Sequence, residues 1–342
     1  MSQPSRMYIE AREIPSVVHR LLDEGRDAIR EAAGLLQAAE PVQLVTFARG
    51  SSDHAATYLK YACELLHSIP VASVGPSLAS VYENDLKLRH SACLAISQSG
   101  QSPDIVRAAA AAKKQGALTI ALTNQSDSPL STAAGELVPL LAGPEHSVPA
   151  TKTYVASLVA GLAVLAHWRG DNDLLRAIDG LPDALDRALE CDWAALRSAL
   201  IHASSAYVLG RGISLGIAQE AALKLKETCQ VHAEAYSAAE VLHGPVSVVG
   251  RGFPVLAMVT DDATNPGFTA VCDQLAGMGA RVVSTSSRSK HAEMLDVTAT
   301  GHVLTDPISM IVSFYKSVEI LARELGKNPD QPQNLMKVTE TL

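Results

Sequence analysis

The chain contains 342 residues, enough for two domains of ordinary size. Hydrophobic residues make up 47% of the sequence and charged residues 19%, a globular composition far from that of a disordered or collagen-like protein. The 28 basic and 36 acidic residues give a net charge of −8, which disfavours nucleic-acid binding, and 4% aromatic residues offer few surfaces for stacking bases. We therefore expect a folded protein with no nucleic-acid partner.

Cysteine usage and apolar runs indicate the compartment. The five cysteines lie far apart without a C-x-x-C pair, which disfavours a disulfide framework and a thiolate metal site and favours the reducing cytoplasm. No stretch approaches the ~18 apolar residues of a membrane span; residues 155–168 predict a buried helix instead. The first residues show no export-signal pattern. We expect a cytoplasmic protein without a membrane segment.

Short apolar runs alternate with longer stretches rich in Ala, Leu, Lys and Glu, which is typical of βαβ units around buried parallel sheets. A helical segment is predicted at 14–36, with later helices at 52–66 and 103–115. Strands of the first half are predicted at 42–47, 71–74, 92–96, 118–122 and 137–140. Strands of the second half are predicted at 206–209, 255–259, 281–284 and 301–304. The pattern predicts an α/β protein.

The two halves match at a nearly constant offset. Arg49-Gly-Ser-Ser52 corresponds to Arg211-Gly-Ile-Ser214, and Gly116-Ala117 corresponds to Gly279-Ala280. Two anchors at one spacing indicate an internal repeat, hence two similar domains. The predicted parts are an N-terminal helical segment, a first domain, a helical linker, a second domain and a C-terminal loop, at 1–30, 31–170, 171–195, 196–325 and 326–342.

The loop Ser97-Gln-Ser-Gly-Gln-Ser102 follows a predicted strand, and Pro103 suits the first turn of the next helix. Free N–H groups at that helix N-terminus, together with the serine hydroxyls, suit an oxyanion such as a phosphate. An ordinary serine-rich turn explains the same residues equally well. The corresponding loop of the second half carries Asp261 and Asp262, so only the first domain is expected to hold a phosphate.

Glu220, Lys224 and Glu227 have the i, i+4, i+7 spacing of one helix face. A carboxylate beside a lysine suits acid–base chemistry, although a solvated salt-bridge stripe is the commoner fate of such spacing. His232 and Glu234 are too few to predict a metal site, and no cofactor is indicated.

Two further segments carry titratable side chains. His243 precedes a Gly-Pro pair at a predicted helix end, where it suits proton transfer or simply the helix dipole. Lys337 lies near the end of the chain in a segment with two prolines, which indicates an ordered loop. A lysine in that position is ordinarily a solvated charge.

Taken together, these segments resemble the sugar isomerase (SIS) family of phosphosugar-binding proteins, and within it the isomerase half of glucosamine-6-phosphate synthases. The resemblance extends from the Glu10 region almost to the last residue. The matching stretches are 48–55, 97–100, 142–145 with 151–152, 210–212, 220–227, 232–236, 243–245 and 330–337. It implies a flavodoxin-like three-layer sandwich in each of two domains.

The resemblance also implies a phosphate cradle and contacts to the sugar. The cradle residues are Ser52, Ser97, Gln98, Ser99 and Ser102, and the sugar is lined by Glu145 and the Val148 backbone.

The implied catalytic residues are Glu227, Lys224, His243 and Lys337. Glu227 is the base that moves a proton between C1 and C2, and Lys224 stabilises charge on the oxygen side. His243 opens the sugar ring from the neighbouring subunit, which implies a homodimer. Lys337 closes over the site and can form a Schiff base with a ketose.

The sequence departs from the synthases in ways that bear on the reaction. Isomerase-like sequence starts within fifteen residues of Met1, without a glutaminase domain, so we expect the reverse reaction, from glucosamine 6-phosphate and water to fructose 6-phosphate and ammonia. Arg49, Gln101, Ser102 and the pair 149–150 also differ, which leaves the sugar open.

Several alternatives to this deaminase/isomerase activity remain open. One is a deglycase, and another is an isomerase for a second amino sugar phosphate such as galactosamine 6-phosphate. A third is synthesis of glucosamine 6-phosphate with free ammonia or a partner. The fourth is a non-catalytic phosphosugar sensor, which would need the serine loop but not the catalytic set.

Overall fold

The computed structural model describes residues 4–337, which form two compact units, each built on its own sheet. The first unit contains residues 16–145, 152–179 and 336–337, and the second contains residues 4–15, 146–151 and 180–335. The predicted N-terminal segment and C-terminal loop extend to residues 1–3 and 338–342, which lie outside the described residues.

The helices are numbered in chain order. They are α1 (Arg6–Arg12), α2 (Ile14–Glu24), α3 (Arg26–Ala39), α4 (Ser51–His67), α5 (Ser77–Ser80), α6 (Pro103–Lys114), α7 (Pro129–Ala134), α8 (Lys152–Arg169), α9 (Asn172–Asp179), α10 (Leu181–Glu190), α11 (Ala194–Leu200), α12 (Leu215–Cys229), α13 (Asn265–Gly277) and α14 (Asp306–Glu324). Short 3-10 helices span Gly212–Ser214 and Pro245–Val248.

Each sheet has five strands. The first contains β1 (Gln43–Phe47), β2 (Val71–Ser73), β3 (Ser91–Ser97), β4 (Leu118–Thr123) and β5 (Glu136–Pro139), in the order β2-β1-β3-β4-β5. The second contains β6 (Ser205–Gly210), β7 (His232–Ser237), β8 (Pro254–Ala257), β9 (Arg281–Ser284) and β10 (Glu293–Met294), in the order β7-β6-β8-β9-β10. All neighbouring strands are parallel.

The two sheets have the same strand order, which confirms the predicted α/β architecture of two parallel sheets flanked by helices. The repeated anchors also share a backbone feature, since Gly50 and Gly212 follow the first strand of their sheets with φ of 53° and 57°. Glycine adopts positive φ more readily than residues that carry a β-carbon.

Burial explains why the strands read as apolar runs. All seven residues of β3 are buried, as expected for a central strand covered by helices on both faces. Helix α8 is buried from Lys152 to Ala166, which confirms the predicted buried helix. No helix of the described residues is both long enough and apolar enough to cross a membrane.

Several predicted elements were wrong in detail. The helical stretch 14–36 is interrupted at Gly25, where a β-carbon would lie 2.5 Å from the Leu21 carbonyl oxygen. Residues 301–304 form turns instead of a strand, and the sheet ends with β10. Strand β7 was not predicted, and the residues before His243 form turns rather than a helix.

Candidate active site

The serine loop lies where the order of the first sheet reverses. Strands β1 and β3 are neighbours, and the chain continues outward from them in opposite directions, to β2 and β4. Such a switch point at the carboxyl ends of parallel strands is the usual ligand site of open α/β sheets. Ser52 lies in the first turn of α4 after β1, and residues 97–102 join β3 to α6.

Two serine hydroxyls shape this loop from within. Ser97 Oγ accepts the Gly100 N–H at 3.2 Å, and Ser99 Oγ accepts the Gln101 N–H at 3.2 Å. Gly100 has φ of 62°, and a β-carbon on it would lie 2.5 Å from Ser128 Cβ. A glycine is therefore required at this tight turn.

The N-cap side chain of α6 does not cap the helix. Ser102 is the N-cap residue, but its side chain makes no capping hydrogen bond, and Pro103 occupies the first helical position. Within the first turn, the Ile105 N–H donates to Asp104 Oδ1 at 2.8 Å and the Val106 N–H donates to the Ser102 carbonyl oxygen at 3.0 Å. The turn still carries the positive end of the helix dipole. Ser97 is buried, whereas the other four predicted cradle residues, Ser52, Gln98, Ser99 and Ser102, are half-buried.

An ion pair that the sequence reasoning missed lies beside this loop. The Asp104 carboxylate is fully buried in the first turn of α6, and Arg49 holds its Oδ2 with Nε at 2.9 Å and Nη2 at 2.8 Å. Half of the Arg49 side chain is exposed. The departure at Arg49 was visible in the sequence, but its partner was not.

Glu145 connects three parts of the first unit. Its Oε2 accepts hydrogen bonds from Gln98 Nε2 at 2.8 Å, Thr153 Oγ1 at 2.7 Å and Lys337 Nζ at 3.0 Å. The Glu145 side chain is fully buried, and a quarter of the Lys337 side chain is exposed. The structure thus brings together three residues that were predicted from distant parts of the sequence.

Helix α12 carries the second group, in the second unit. Lys224 Nζ lies 3.0 Å from Glu220 Oε1 and 2.7 Å from Glu227 Oε2. Glu220 and Lys224 are fully buried, whereas 18% of the Glu227 side chain is exposed. The predicted common face is therefore real, but it is an internal cluster and not a solvated stripe.

The charge of Lys224 is fixed by its partners. Burial alone lowers the pKa of an ammonium group, but the attraction of Glu220 and Glu227 outweighs it and raises the pKa of Lys224 well above its ordinary value. Tyr315 also donates to Glu220 Oε1 at 3.2 Å. The cluster therefore holds a permanent positive charge against Glu227, the one member that reaches solvent.

The remaining predicted residues of the second unit have simpler surroundings. His243 is exposed in a turn after β7, and its backbone N–H donates to the Glu240 carbonyl oxygen at 2.9 Å. The Val148 N–H donates to the Asp330 carbonyl oxygen at 3.0 Å, so a ligand could be met there only by the Val148 carbonyl and side chain.

Glu10 has a structural role that the sequence did not predict. Its buried carboxylate accepts the backbone N–H groups of His146 and Ser147 and the Ser147 hydroxyl. Asp330 similarly accepts the N–H groups of Arg6 and Met7 at the start of α1. Both ends of the chain therefore support the segment 146–151 of the second unit.

The second unit fills its own anion position with a protein carboxylate. Asp262 accepts the Thr264 N–H at 2.7 Å, the Thr264 hydroxyl at 2.6 Å and the Thr260 hydroxyl at 2.8 Å. This loop follows β8, which has the place that β3 has in the first sheet. Among residues 4–337, no group of three His, Cys, Asp or Glu side chains is arranged to hold a metal ion.

The chain matches the SIS domain family over residues 38–167 and 199–319. Glutamine–fructose-6-phosphate aminotransferase (isomerizing) of Sulfolobus acidocaldarius is 34% identical over 86% of this chain. The same enzyme of Pyrobaculum aerophilum is 33% identical over 90%. The matches cover 49% and 53% of those proteins, so the chain spans about half the length of the curated relatives it matches.

Two solved structures are similar over nearly the whole chain. A protein of Silicibacter pomeroyi, provisionally assigned as a phosphosugar isomerase, is 51% identical with a TM-score of 0.93, over 95% of this chain and 100% of that one. The C-terminal domain of glucosamine-fructose-6-phosphate aminotransferase from Francisella tularensis has a TM-score of 0.83 at 22% identity, over 97% and 99%, and shows the same fold. The chain therefore belongs to the SIS domain family and contains two SIS domains.

Proposed function

We propose that this protein is a phosphosugar isomerase that moves a proton between C1 and C2 of an open-chain sugar phosphate, and that its substrate is glucosamine 6-phosphate, which it deaminates. The observation that carries the proposal is the α12 cluster, in which a buried ammonium between two carboxylates leaves one of them, Glu227, accessible. The proposal assigns phosphate binding to the first unit and proton transfer to the second.

Phosphate binding is supported by the loop after β3. The N-terminus of α6 supplies the positive end of a helix dipole, and the half-buried hydroxyls of Ser52, Ser99 and Ser102 supply neutral donors. Neutral donors suit a protein of net charge −8, in which acidic residues outnumber basic ones. In the second unit Asp262 occupies the corresponding donors, so the proposal places a single phosphate in each chain.

Proton transfer is assigned to Glu227. A general base must be ionised and within reach of solvent or substrate, and its conjugate acid must return the proton. Lys224 stabilises the ionised carboxylate from the buried side at 2.7 Å. Because Lys224 is itself fully buried, we assign it an electrostatic role through Glu227 and not a direct contact with substrate.

The deamination then follows in balanced steps. After ring opening, Glu227 removes the C2 proton of the amino aldehyde and returns it at C1, while O1 gains a proton and the amine loses one, which leaves a C1 hydroxyl and an imine at C2. Water adds to C2 and ammonia departs, which gives the ketone of fructose 6-phosphate. A Schiff base with Lys337 is the alternative route for ammonia release, and it requires a neutral amine, so Lys337 must first leave its ion pair with Glu145.

Ring opening is assigned to His243 of a neighbouring copy, which makes a homodimer part of the proposal. The exposure of His243 in its turn supports this assignment, because an exposed imidazole is available to another chain. An analytical ultracentrifugation measurement of the purified protein tests it: a dimer is expected, and a monomer at concentrations where the enzyme is fully active would contradict it.

The direct test is the release of ammonia and fructose 6-phosphate from glucosamine 6-phosphate, with galactosamine 6-phosphate and a phosphorylated Amadori compound as competing substrates. We expect turnover of glucosamine 6-phosphate to be fastest, and to fall to background in Glu227→Gln but not in Glu324→Gln, an exposed control on α14. Preferred turnover of another compound would replace the substrate, and binding without turnover of any would indicate a sensor.

A further inference from the structure

A second cleft lies in the first unit, away from the ends of the strands. It has a volume of about 360 Å³ and is lined by residues of α2, α3, α8 and α9 and by no residue of the sheet. Its apolar lining comes from Leu22, Ile29, Ala163, Leu175 and Ile178. A volume of this size falls within the range of small-molecule sites, ~300–1,000 Å³.

The polar lining of this cleft is basic. Three guanidinium groups and an imidazole, from Arg26, Arg30, Arg176 and His167, accompany the single carboxylate of Asp179. This is a local excess of positive charge in a protein of net charge −8. Like charges gathered in a cleft repel one another, and an anion between them removes that repulsion.

The two arginines of α3 are not neutralised by the protein. Arg176 is ion-paired with Asp173, but Arg26 and Arg30 make no ion pair with any carboxylate of residues 4–337. Arg26 Nε donates to the Leu22 carbonyl oxygen at 3.4 Å. Their forked N–H groups are therefore available to an oxyanion, which guanidinium binds in bidentate fashion.

His167 reports on the charge in the cleft. The pKa of His167 is lowered mainly by burial. Arg30 and Arg26 lower it further, and Asp179 opposes them. A bound anion would act in the opposite direction to the arginines.

We propose that this cleft is a second ligand site, which binds a small organic anion: a phosphate or carboxylate group held by Arg26 and Arg30, joined to an apolar body that covers the half-buried Leu22 and Leu175. The site is separate from the serine loop, whose residues belong to the ends of β1 and β3 and the starts of α4 and α6. It is independent of the proposed function, because it uses none of the residues assigned to the sugar phosphate.

The test uses phenyl phosphate as the probe and the imidazole signal of His167 as the readout, followed by NMR across a pH titration and assigned with His167→Gln. We expect millimolar phenyl phosphate to raise the pKa of His167 in the wild type and in Ser97→Ala/Ser99→Ala. In Arg26→Gln/Arg30→Gln, we expect a higher pKa without ligand and no further change with it. Arg89→Gln/Arg251→Gln, which removes two exposed arginines elsewhere, should behave as the wild type.

Two further probes separate the parts of the ligand. Benzoate tests whether a carboxylate can take the place of the phosphate. Binding of benzoate would show that the site accepts a carboxylate, and failure to bind would restrict the site to phosphate. Inorganic phosphate should bind more weakly than phenyl phosphate, and equal affinity would overturn the apolar part of the proposal. An unchanged His167 signal with phenyl phosphate, or a change that persists in Arg26→Gln/Arg30→Gln, would overturn the site. Loss of the effect only in Ser97→Ala/Ser99→Ala would assign the anion to the serine loop instead.

Discussion

Lys224 Nζ lies 2.7 Å from Glu227 Oε2, with the lysine fully buried and 18% of the carboxylate side chain exposed. This pair places a fixed positive charge behind a carboxylate that solvent can reach. A base for carbon acids needs a carboxylate that substrate or solvent can reach, and the ammonium group of Lys224 contacts this one from its buried side. The same pair also determines how the second unit responds to mutation and to alkaline pH.

Removal of Lys224 is expected to destabilise the second unit strongly. Lys224→Met leaves Glu220 as a fully buried carboxylate without its ion-pair partner, and breaking a buried pair in this way costs about 3–5 kcal/mol of unfolding free energy. Urea denaturation measures this loss. The double variant Lys224→Met/Glu220→Gln should recover part of it, and Lys226→Met, an exposed control on the same helix, should stay within about 0.5 kcal/mol of the wild type. Equal losses in the Lys226 and Lys224 variants would contradict the buried pair.

The pH dependence of this contribution has a defined sign. The pKa of Lys224 is raised in the folded state, so its stabilising effect is complete below the ordinary value of 10.5 and is lost as pH rises through the higher folded value. We therefore expect the difference in unfolding free energy between wild type and Lys224→Met to narrow as the pH rises above 10.5. A difference in unfolding free energy that grows as the pH rises above 10.5 would contradict a raised pKa of Lys224.

The sequence predicted which residues of α12 share one face, but it did not predict that this face is buried. The i, i+4, i+7 spacing is enough to place Glu220, Lys224 and Glu227 on one face, because helix geometry fixes it. Spacing says nothing about burial, which depends on Tyr315 of α14 and therefore on tertiary packing. A solvated salt-bridge stripe is the commoner outcome of this spacing, and it was therefore the natural expectation from the sequence.

Errors in the strands have a similar origin. Strand β7 lies at the edge of its sheet and consists of mostly polar or small residues, so it lacks an apolar run to reveal it. The apolar residues of 301–304 were read as a strand, but they belong to turns before α14, in which Thr300 donates to Asp306 and His302 accepts the N–H groups of Thr305 and Asp306. Local apolar content cannot distinguish the two cases.

The residues of the serine loop could be predicted from the sequence, but the contacts that hold the loop in place could not. The apolar strand, the glycine and the proline were enough to place this loop between β3 and α6. The internal repeat identified the corresponding loop of the second half, which carries acidic residues, so the first half was the candidate for phosphate binding. The pair of Arg49 with Asp104 joins residues that are distant in sequence. Such contacts follow from the fold and leave no local signal.

Arg49→Gln is expected to weaken phosphate binding. It leaves the fully buried Asp104 carboxylate without its partner two residues from Ser102, where that charge opposes an incoming phosphate. We expect the dissociation constant for inorganic phosphate to rise about tenfold, the effect of about 1.4 kcal/mol. Calorimetric titration measures it, and Arg49→Gln/Asp104→Asn should restore most of the affinity. An unchanged constant in Arg49→Gln would contradict the role of the pair.

A pair of glycine substitutions separates strain in the loop from ordinary helix propensity. Gly100→Ala forces a β-carbon toward Ser128 at a φ of 62°, so we expect it to abolish phosphate binding at the serine loop. Gly34→Ala, in the exposed interior of α3 with open space around it, should stabilise the protein by about 0.5–1 kcal/mol and leave binding unchanged. Normal phosphate affinity in Gly100→Ala would show that the loop tolerates the shift.

Lys337 provides a covalent test of its proposed role. Sodium borohydride added with fructose 6-phosphate reduces a Schiff base, so we expect a stable adduct on Lys337 that peptide mass spectrometry locates. The adduct should be missing in Lys337→Met, and Lys327→Met serves as a control lysine from the same end of the chain. An unmodified Lys337 in an enzyme that turns over would assign ammonia release to water alone.

The central claim is that Glu227 moves a proton between C1 and C2. Deuterium incorporation at C1 of fructose 6-phosphate in D₂O, followed by NMR, measures that step without requiring ammonia release or knowledge of the physiological direction. The account predicts exchange with the wild-type protein and a rate at least about 100-fold lower with Glu227→Gln, in protein whose circular dichroism matches the wild type. Equal exchange by Glu227→Gln, or no exchange by wild-type protein that binds the sugar phosphate, would contradict it.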